Sequence, residues 1–376
     1  MPTVVVKFIE AGIEAIQRSQ RGIVALILED TKQVIDKLAT KTNGHEVLPN
    51  PFLVYTVDDI PEELSDKNKD YILKALKGYN KPPLKVVVYM MQQGGDKAGA
   101  DRFQEPLKAM LTERFDYLAI PTIETAQLEY VATWVKTARE NKFKKIKVVL
   151  PGSNADYEGV INFGNTKVVT ADREYKAAEY TARIAGLVAG TNMTQSATYA
   201  PLTEVIDCDR YTQDEMDTMV NEGKFFIWYD GEKFKMSRAM NSLVTTSQGK
   251  LEGYQTIKIV DIMDMIYDDI RKTAQDSYIG KYTNDYENKC LLISAILGYF
   301  KQLENERLLQ KDYSTCEIDC EAVRTYQLSH GLFTKEELAK MSDDEVKKLD
   351  TKKIVFLKAK VRPLDAMEDI QLPINI

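Results

Sequence analysis

In the first half of the chain, apolar positions fall into short unbroken runs separated by stretches with helical spacing. Ile23-Val24-Ala25-Leu26-Ile27-Leu28 contains no polar residue, the pattern of a strand buried on both faces. Val86-Val87-Val88-Tyr89-Met90, Tyr117-Leu118-Ala119-Ile120, Ile146-Lys147-Val148-Val149-Leu150 and Val168-Val169-Thr170 are read as further strands, and Pro121 and Pro151-Gly152 stop two of them. Another strand is predicted over 49–57, after a turn at Asn43-Gly44. Helices are predicted over 61–78, 101–115, 122–141 and 172–190, the first entered by Pro61 and left by Gly78. Strands alternating with helices of this length imply βαβ units with right-handed crossovers and a mainly parallel sheet, placed over 82–250.

The helix over 172–190 carries Ala178, Ala182, Ala185, Gly186, Ala189 and Gly190 at helical spacing, so its backbone can lie close to a neighbour. Phe225 to Tyr229 and Glu232 to Met236 flank Asp230-Gly231, a hairpin signal suited to a type I′ turn. The last third mixes a strand at 257–260, a helix after it, and a long amphipathic helix over 284–305. Two short helices follow, opened by the capping boxes Thr334 with Glu337 and Ser342 with Glu345.

Both ends of the chain read as strands without a partner nearby in sequence. The first is Val4-Val5-Val6-Lys7-Phe8-Ile9; the last are 354–361 and Ile370-Gln371-Leu372-Pro373-Ile374. Termini are usually polar and frayed. An apolar strand with unpaired backbone groups is a template for another chain. Such strands either complete the chain's own sheet or are lent to neighbours, and the second option describes the unit of a polymer.

Composition narrows the classes. A chain of 376 residues holds two or three domains and a core large enough to need neither metal nor disulfide. The net charge of −7 argues against a nucleic-acid partner, whose phosphates demand basic residues. Cys208, Cys290, Cys316 and Cys320 are read as reduced thiols of a cytoplasmic protein. No signal peptide opens the chain, and no run approaches the roughly twenty apolar residues that cross a bilayer, so synthesis in the cytoplasm and no membrane partner are expected.

Candidate chemistry is thin. His45 and His330 share no motif, and a Ser-His-Asp triad or a zinc site would need them. Ser153 follows a strand at the carboxyl edge of the sheet, where ligands often bind, but lacks the G-x-S-x-G elbow. The glycine-rich loop 94–99 follows a strand but is not a phosphate loop. Asp261, Asp264 and Asp268, beside Asp269, share a helix face and are read as capping residues or partners of Arg271 and Lys272 before a metal site. Lys142, Lys144, Lys145 and Lys147 flank a strand start and read as a solvated face. No catalytic, cofactor-binding or metal-binding residue and no cofactor is therefore assigned. A structural polymer is the leading reading. An α/β hydrolase-like enzyme with a site near Ser153 and a monomeric binding module whose terminal strands pair with each other are the alternatives.

Four stretches carry a resemblance. Residues 182–202 contain Ala185-Gly186-Leu187-Val188-Ala189-Gly190, then Ser196-Ala197-Thr198 and Leu202. The others are 238–246 with Asn241-Ser242-Leu243-Val244-Thr245-Thr246, 259–271 with 278–284, and 355–370. In order and position they resemble the contractile tail sheath proteins of bacteriophages, R-type bacteriocins and related injection particles, in the small form of Gram-positive prophages and clostridial bacteriocins. The resemblance covers 180–376 well, 82–180 by pattern only and the first 80 residues weakly.

What it implies is an α/β and α+β protein. A subtilisin-like α/β domain without a protease site is joined to a mixed α+β domain formed by the N- and C-terminal parts, with exchanged terminal strands. The expected division is 1–21 as an N-terminal arm, 22–81 as an N-terminal α+β part, 82–250 as the α/β sheath domain, 251–353 as the C-terminal sheath domain and 354–376 as a C-terminal arm. Val4, Val5, Val6, Phe8, Ile354, Val355, Phe356, Leu357 and Val361 are the expected inter-subunit strand residues, with hinges at 10–21 and 362–369. The implied partners are other copies in hexameric rings stacked into a helical sheath, an inner tail tube protein, and baseplate and tail-terminator proteins. Contraction would drive the tube through a cell envelope, in a particle released by lysis. Lys347, Lys348, Lys352 and Lys353 are candidate contacts to an acidic tube, since polar contacts release more readily than a dry apolar patch.

Overall fold

The apolar run 23–28 takes the centre of a sheet because all six of its side chains are covered: each is fully buried. The computed structural model describes residues 15–39, 50–94 and 99–375, and the chain divides into two compact units. The larger comprises 20–264 with 365–376; the smaller comprises 265–364 with the described residues before Gln20.

The larger unit contains β1 (Ile23–Asp30), β2 (Phe52–Val54), β3 (Lys85–Gln92), β4 (Tyr117–Ala119), β5 (Lys147–Pro151), β6 (Val160–Phe163), β7 (Lys167–Thr170), β8 (Glu174–Lys176), β9 (Val205–Cys208), β10 (Lys224–Phe225), β11 (Ile227–Tyr229) and β12 (Phe234–Met236). Seven strands form one sheet in the order β10-β6-β5-β4-β1-β3-β2. Every neighbouring pair is parallel except the antiparallel edge pair β2 with β3. Side chains of β1 alternate between two cores, as the strand period requires. Val24, Leu26 and Leu28 face the helices Asp66–Leu76 and Ala177–Ala189, while Ile23, Ala25 and Ile27 face Gln104–Met110 and Leu128–Glu140. The small residues of Ala177–Ala189 allow the close approach expected of them: a Cβ at Gly186 would run into the carbonyl of Ala75.

Several expectations are corrected. The segments 22–81 and 82–250 share one sheet, with β1 between β3 and β4. Strand β6, which the sequence reading missed, belongs to that sheet, whereas β7 leaves it and pairs antiparallel with β8 and β9. The helix expected from 172 starts at Ala177, because 174–176 pairs as β8 and Lys176 serves as N-cap, its N–H donating to Glu179 at 3.0 Å. The helices expected over 61–78, 101–115 and 122–141 shorten to Asp66–Leu76, Gln104–Met110 and Leu128–Glu140. The hairpin of β11 and β12 forms, but Tyr229 faces Phe234 across a loop of 230–233, in which the Asp230 carboxylate accepts the N–H groups of Glu232 (2.9 Å) and Lys233 (2.8 Å). The strand expected at 257–260 is the first turn of the helix Ile257–Thr273. Burial of Ile257 and Val260, three positions apart on one helix face that Asp264 continues, overrides their β preference.

The smaller unit holds the helix Tyr286–Asn305, β13 (Thr315–Ile318), the helices Cys320–Ser329, Lys335–Lys340 and Asp343–Val346, and β14 (Leu357–Lys360). Both capping boxes form: Glu337 accepts the Thr334 N–H and Glu345 the Ser342 N–H, each at 2.8 Å. Ile318, Cys320, Val323 and Val346 make a small core, against which Phe356 and Leu357 pack. Among the described residues no helix is long and apolar enough to cross a membrane.

Candidate functional site

The carboxyl edge of the parallel sheet is where an α/β enzyme would carry its site. Here its acids hold the fold. The Asp30 carboxylate accepts the N–H groups of Thr31 (2.8 Å) and Ser65 (3.0 Å) and the amide of Asn68 (2.9 Å). Burial pushes Asp30 up, but these donors outweigh it and hold the carboxyl below its usual range. Glu29 accepts from the Thr122 hydroxyl at 2.6 Å and pairs with Arg102. Ser153 is buried. His45 lies outside the described residues, as does most of the 94–99 loop. His330 stacks on Tyr326 at 4.0 Å between ring centres. Burial raises the Cys208 thiol to about 12 and that of Cys316 to about 11, so both are protonated at neutral pH.

A second cluster, at the amino edge of the same sheet, joins β4 and β5 to the start of the helix Ile257–Thr273. Lys147, with its side chain 1% exposed, sits 2.7 Å from Asp264 and 2.9 Å from Asp261. Arg139 grips Asp264 with two bonds of 2.9 Å, and the Tyr117 hydroxyl donates to Asp261 at 2.6 Å. Burial pushes the Asp264 carboxyl up, but Lys147 and Arg139 prevail and hold it at about 2. The charges of Lys147, Arg139, Asp261 and Asp264 balance, so none is left buried alone. Two sequence readings are corrected here. Lys147 is not on a solvated face, and Asp261 and Asp264 bond Lys147 and Arg139 rather than Arg271 or Lys272.

The terminal segments are tied in unexpected places. Val4, Val5, Val6 and Phe8 lie outside the described residues. The expected hinge over 10–21 is anchored where it is described: the Gln17 N–H donates to Thr273 (3.0 Å), the Ser19 N–H to Asp269 (2.7 Å) and Arg21 to Asp116 (2.8 Å). At the other end, β14 has a partner in its own chain. It pairs antiparallel with β13, Leu357 opposite Ile318 and Lys360 opposite Thr315. Single bonds extend the ladder, from the Asp319 N–H to the Phe356 carbonyl (3.0 Å) and from the Gln310 N–H to the Arg362 carbonyl (2.8 Å). Of the expected inter-subunit strand residues Ile354, Val355, Phe356, Leu357 and Val361, Leu357 thus pairs within its own chain and Phe356 accepts one bond there. The partner, Thr-Cys-Glu-Ile, is four residues long and lies some forty positions upstream, beyond local pattern reading. Among the described residues this sheet has only two strands.

The last described residues have no such partner. Segment 370–375 has no regular structure, and Ile370, Leu372 and Ile374 are 84%, 75% and 75% exposed. Just before it, the Glu368 carboxylate accepts the hydroxyls of Thr198 (2.5 Å) and Ser196 (3.2 Å) and lies 3.1 Å from Arg238, while Arg238 bonds both oxygens of Asp369 at 2.6 Å. Three of the expected tube-contact lysines are engaged within the chain: Lys347 with Asp344 (3.1 Å), Lys352 with Asp350 (2.7 Å), and Lys348 over the Tyr286 ring. Lys353 is exposed.

Comparison with known proteins agrees with this geometry. The phage tail sheath protein central domain matches residues 96–242, and the phage tail sheath C-terminal domain matches 250–376. A tail sheath protein of Clostridium phage phiCD119 is 33% identical over 376 residues, covering 99% of this chain and 98% of that protein. Among solved structures, a sheath tail protein of Desulfitobacterium hafniense superposes with a TM-score of 0.69 at 18% identity, over 84% of this chain and 94% of its own. The anti-feeding prophage helical sheath in its contracted state gives 0.69 at 12% identity, over 100% of this chain and 98% of its own. These last two likenesses establish a shared fold.

Proposed function

The chain belongs to the phage tail sheath family, structural proteins rather than enzymes, and on that premise we propose that its copies join by exchanging strands. The observation that carries the reading is the apolar tail 370–375, together with a β13/β14 ribbon that among the described residues has two strands and two outer edges. A two-stranded ribbon is marginal in water, and a third strand stabilises it. The ribbon is the acceptor and the tail of a neighbouring copy the donor. Ile370, Leu372 and Ile374 lie on one face of an extended strand, the face that burial would cover. Their N–H and C=O groups also point to one edge, while Pro373 removes a donor from the other. The added strand therefore pairs on one side and blunts further growth.

In this reading the larger unit is a subtilisin-like α/β domain without a protease site. The segment 354–361 belongs to the acceptor, and the C-terminal arm proper begins at 370. Residues 1–14 are a second donor. Rings of copies, hexameric by resemblance, stack into a sheath around a tube and contract along it, with baseplate and terminator proteins at its ends. The sheath is a component of a phage tail or bacteriocin particle. Energy stored in contacts between copies drives the motion. Lys347, Lys348, Lys352 and Lys353 are the candidate tube contacts.

Velocity sedimentation and negative-stain microscopy of the concentrated chain test this reading. Rings or ribbed tubes are expected; single particles at every concentration would overturn it.

A further inference from the structure

Three of the four family-like stretches meet at one place in the larger unit: Ser196 and Thr198, Arg238, and Glu368 with Asp369. Their geometry is that of a receptor. The Thr198 hydroxyl accepts the Ala239 N–H at 2.9 Å, which aims its proton at Glu368. The Ser196 oxygen accepts the Thr198 N–H at 3.1 Å and sits 2.8 Å from the Thr198 hydroxyl, so both hydroxyls are fixed before the carboxylate arrives. The Glu368 side chain is only 15% exposed, where a charge-assisted bond keeps its strength, whereas Asp369 at 77% adds little beyond direction. Burial holds the ammonium of Lys258 below its usual range, although the Glu368 charge also favours it. The contact holds a segment whose next residues are the exposed apolar tail.

We propose that Ser196, Thr198 and Arg238 form a latch for Glu368 and Asp369 that fixes where the tail leaves its own copy, so that 370–375 meets a neighbouring copy in one register. The proposal rests on the strand-exchange reading above. A slip of one residue would turn Ile370, Leu372 and Ile374 to the wrong face of the acceptor. With Asp369 held, Leu372 reaches no further than about 10 Å from the anchor, which leaves few registers open. The latch residues act by positioning; the tail makes the joint.

The test uses the full chain with Glu368→Gln, with Arg238→Ala, and with Ser196→Ala and Thr198→Ala together, beside a chain lacking 370–376. Chymotrypsin cleavage after Met367 in the unassembled protein reads latch opening, since cleavage follows the open population. Tube formation, with tube regularity by cryo-EM, reads the joint. Arg238→Ala is expected to keep the wild-type melting curve, and all three latch variants to be cleaved about tenfold faster and to form fewer and less regular tubes. Arg238→Glu combined with Glu368→Arg is expected to recover part of the loss. Unchanged cleavage overturns the proposal. Faster cleavage with wild-type tubes overturns it too, and if the tail-deleted chain fails to assemble in the same experiment the exchange reading stands alone. A tail-deleted chain that assembles like the intact one removes both.

Discussion

A chain lacking residues 370–376 is expected to fold normally and form no tubes. Ile370, Leu372 and Ile374 are exposed in the single copy, so their removal takes nothing from its core, and stability should stay within about 0.5 kcal/mol of the intact chain. In the proposed strand exchange the same three side chains become buried. At roughly 1.5–3 kcal/mol for each fully covered apolar side chain and about 0.5–1.5 kcal/mol for each ladder hydrogen bond, set against the cost of ordering the segment, one joint is worth on the order of 5 kcal/mol. That corresponds to an association constant at least about a thousandfold lower without the tail. Leu372→Asp in the full-length chain should have the same effect, because it places a charge on the covered face. Gln371→Ala, on the opposite face, should leave assembly unchanged. Sedimentation and negative-stain microscopy read all three, and ribbed tubes from the deleted chain at wild-type concentration would show that the joint lies elsewhere.

Asp264→Asn is expected to destabilise the larger unit by about 3–5 kcal/mol, the effect of leaving a buried charge without its counterpart. Lys147 would then keep Asp261, and Arg139 only Glu158 at 4.0 Å. Both tryptophans, Trp134 and Trp228, lie in the larger unit, so urea unfolding followed by tryptophan fluorescence reports on it directly. The substitution also changes the pH response. The folded carboxyl is held at about 2, below its ordinary value of 3.8, so its contribution is present above pH 4 and is lost as pH falls from 3.8 towards 2. Linkage puts that loss at about 2 kcal/mol. The wild type should therefore lose stability more steeply than the Asn variant over this window. Equal midpoints at pH 7, or parallel acid profiles, would show that the cluster does not support the unit.

How far the sequence could be read follows the range of the interactions concerned. The buried runs of β1, β3, β4 and β5 announce themselves, since a strand covered on both faces has nowhere to put a polar residue. The capping boxes at Thr334 and Ser342 are equally legible, because the bonds span three residues. Pairings across distance are not. β6 is four residues with an asparagine at its third position, and only its parallel alignment with β5 makes it a strand. Lys147 looks like one of a solvated set until Asp261 and Asp264 arrive from more than a hundred positions away. The partner of β14 escapes local reading for the same reason, since Thr315–Ile318 lies some forty positions upstream. The apolar tail at 370–374 was visible from the start, because its alternation is local; the receptor that holds its base was not, since Ser196, Thr198, Arg238 and Glu368 meet only in the folded chain.

Tracing residues 370–375 in a cryo-EM map of the assembled sheath tests strand exchange most directly. The expected map shows this segment as a strand hydrogen-bonded to the β13/β14 ribbon of another copy, with Ile370, Leu372 and Ile374 covered. A map in which the segment pairs only within its own chain, or lies unpaired between copies, would contradict it.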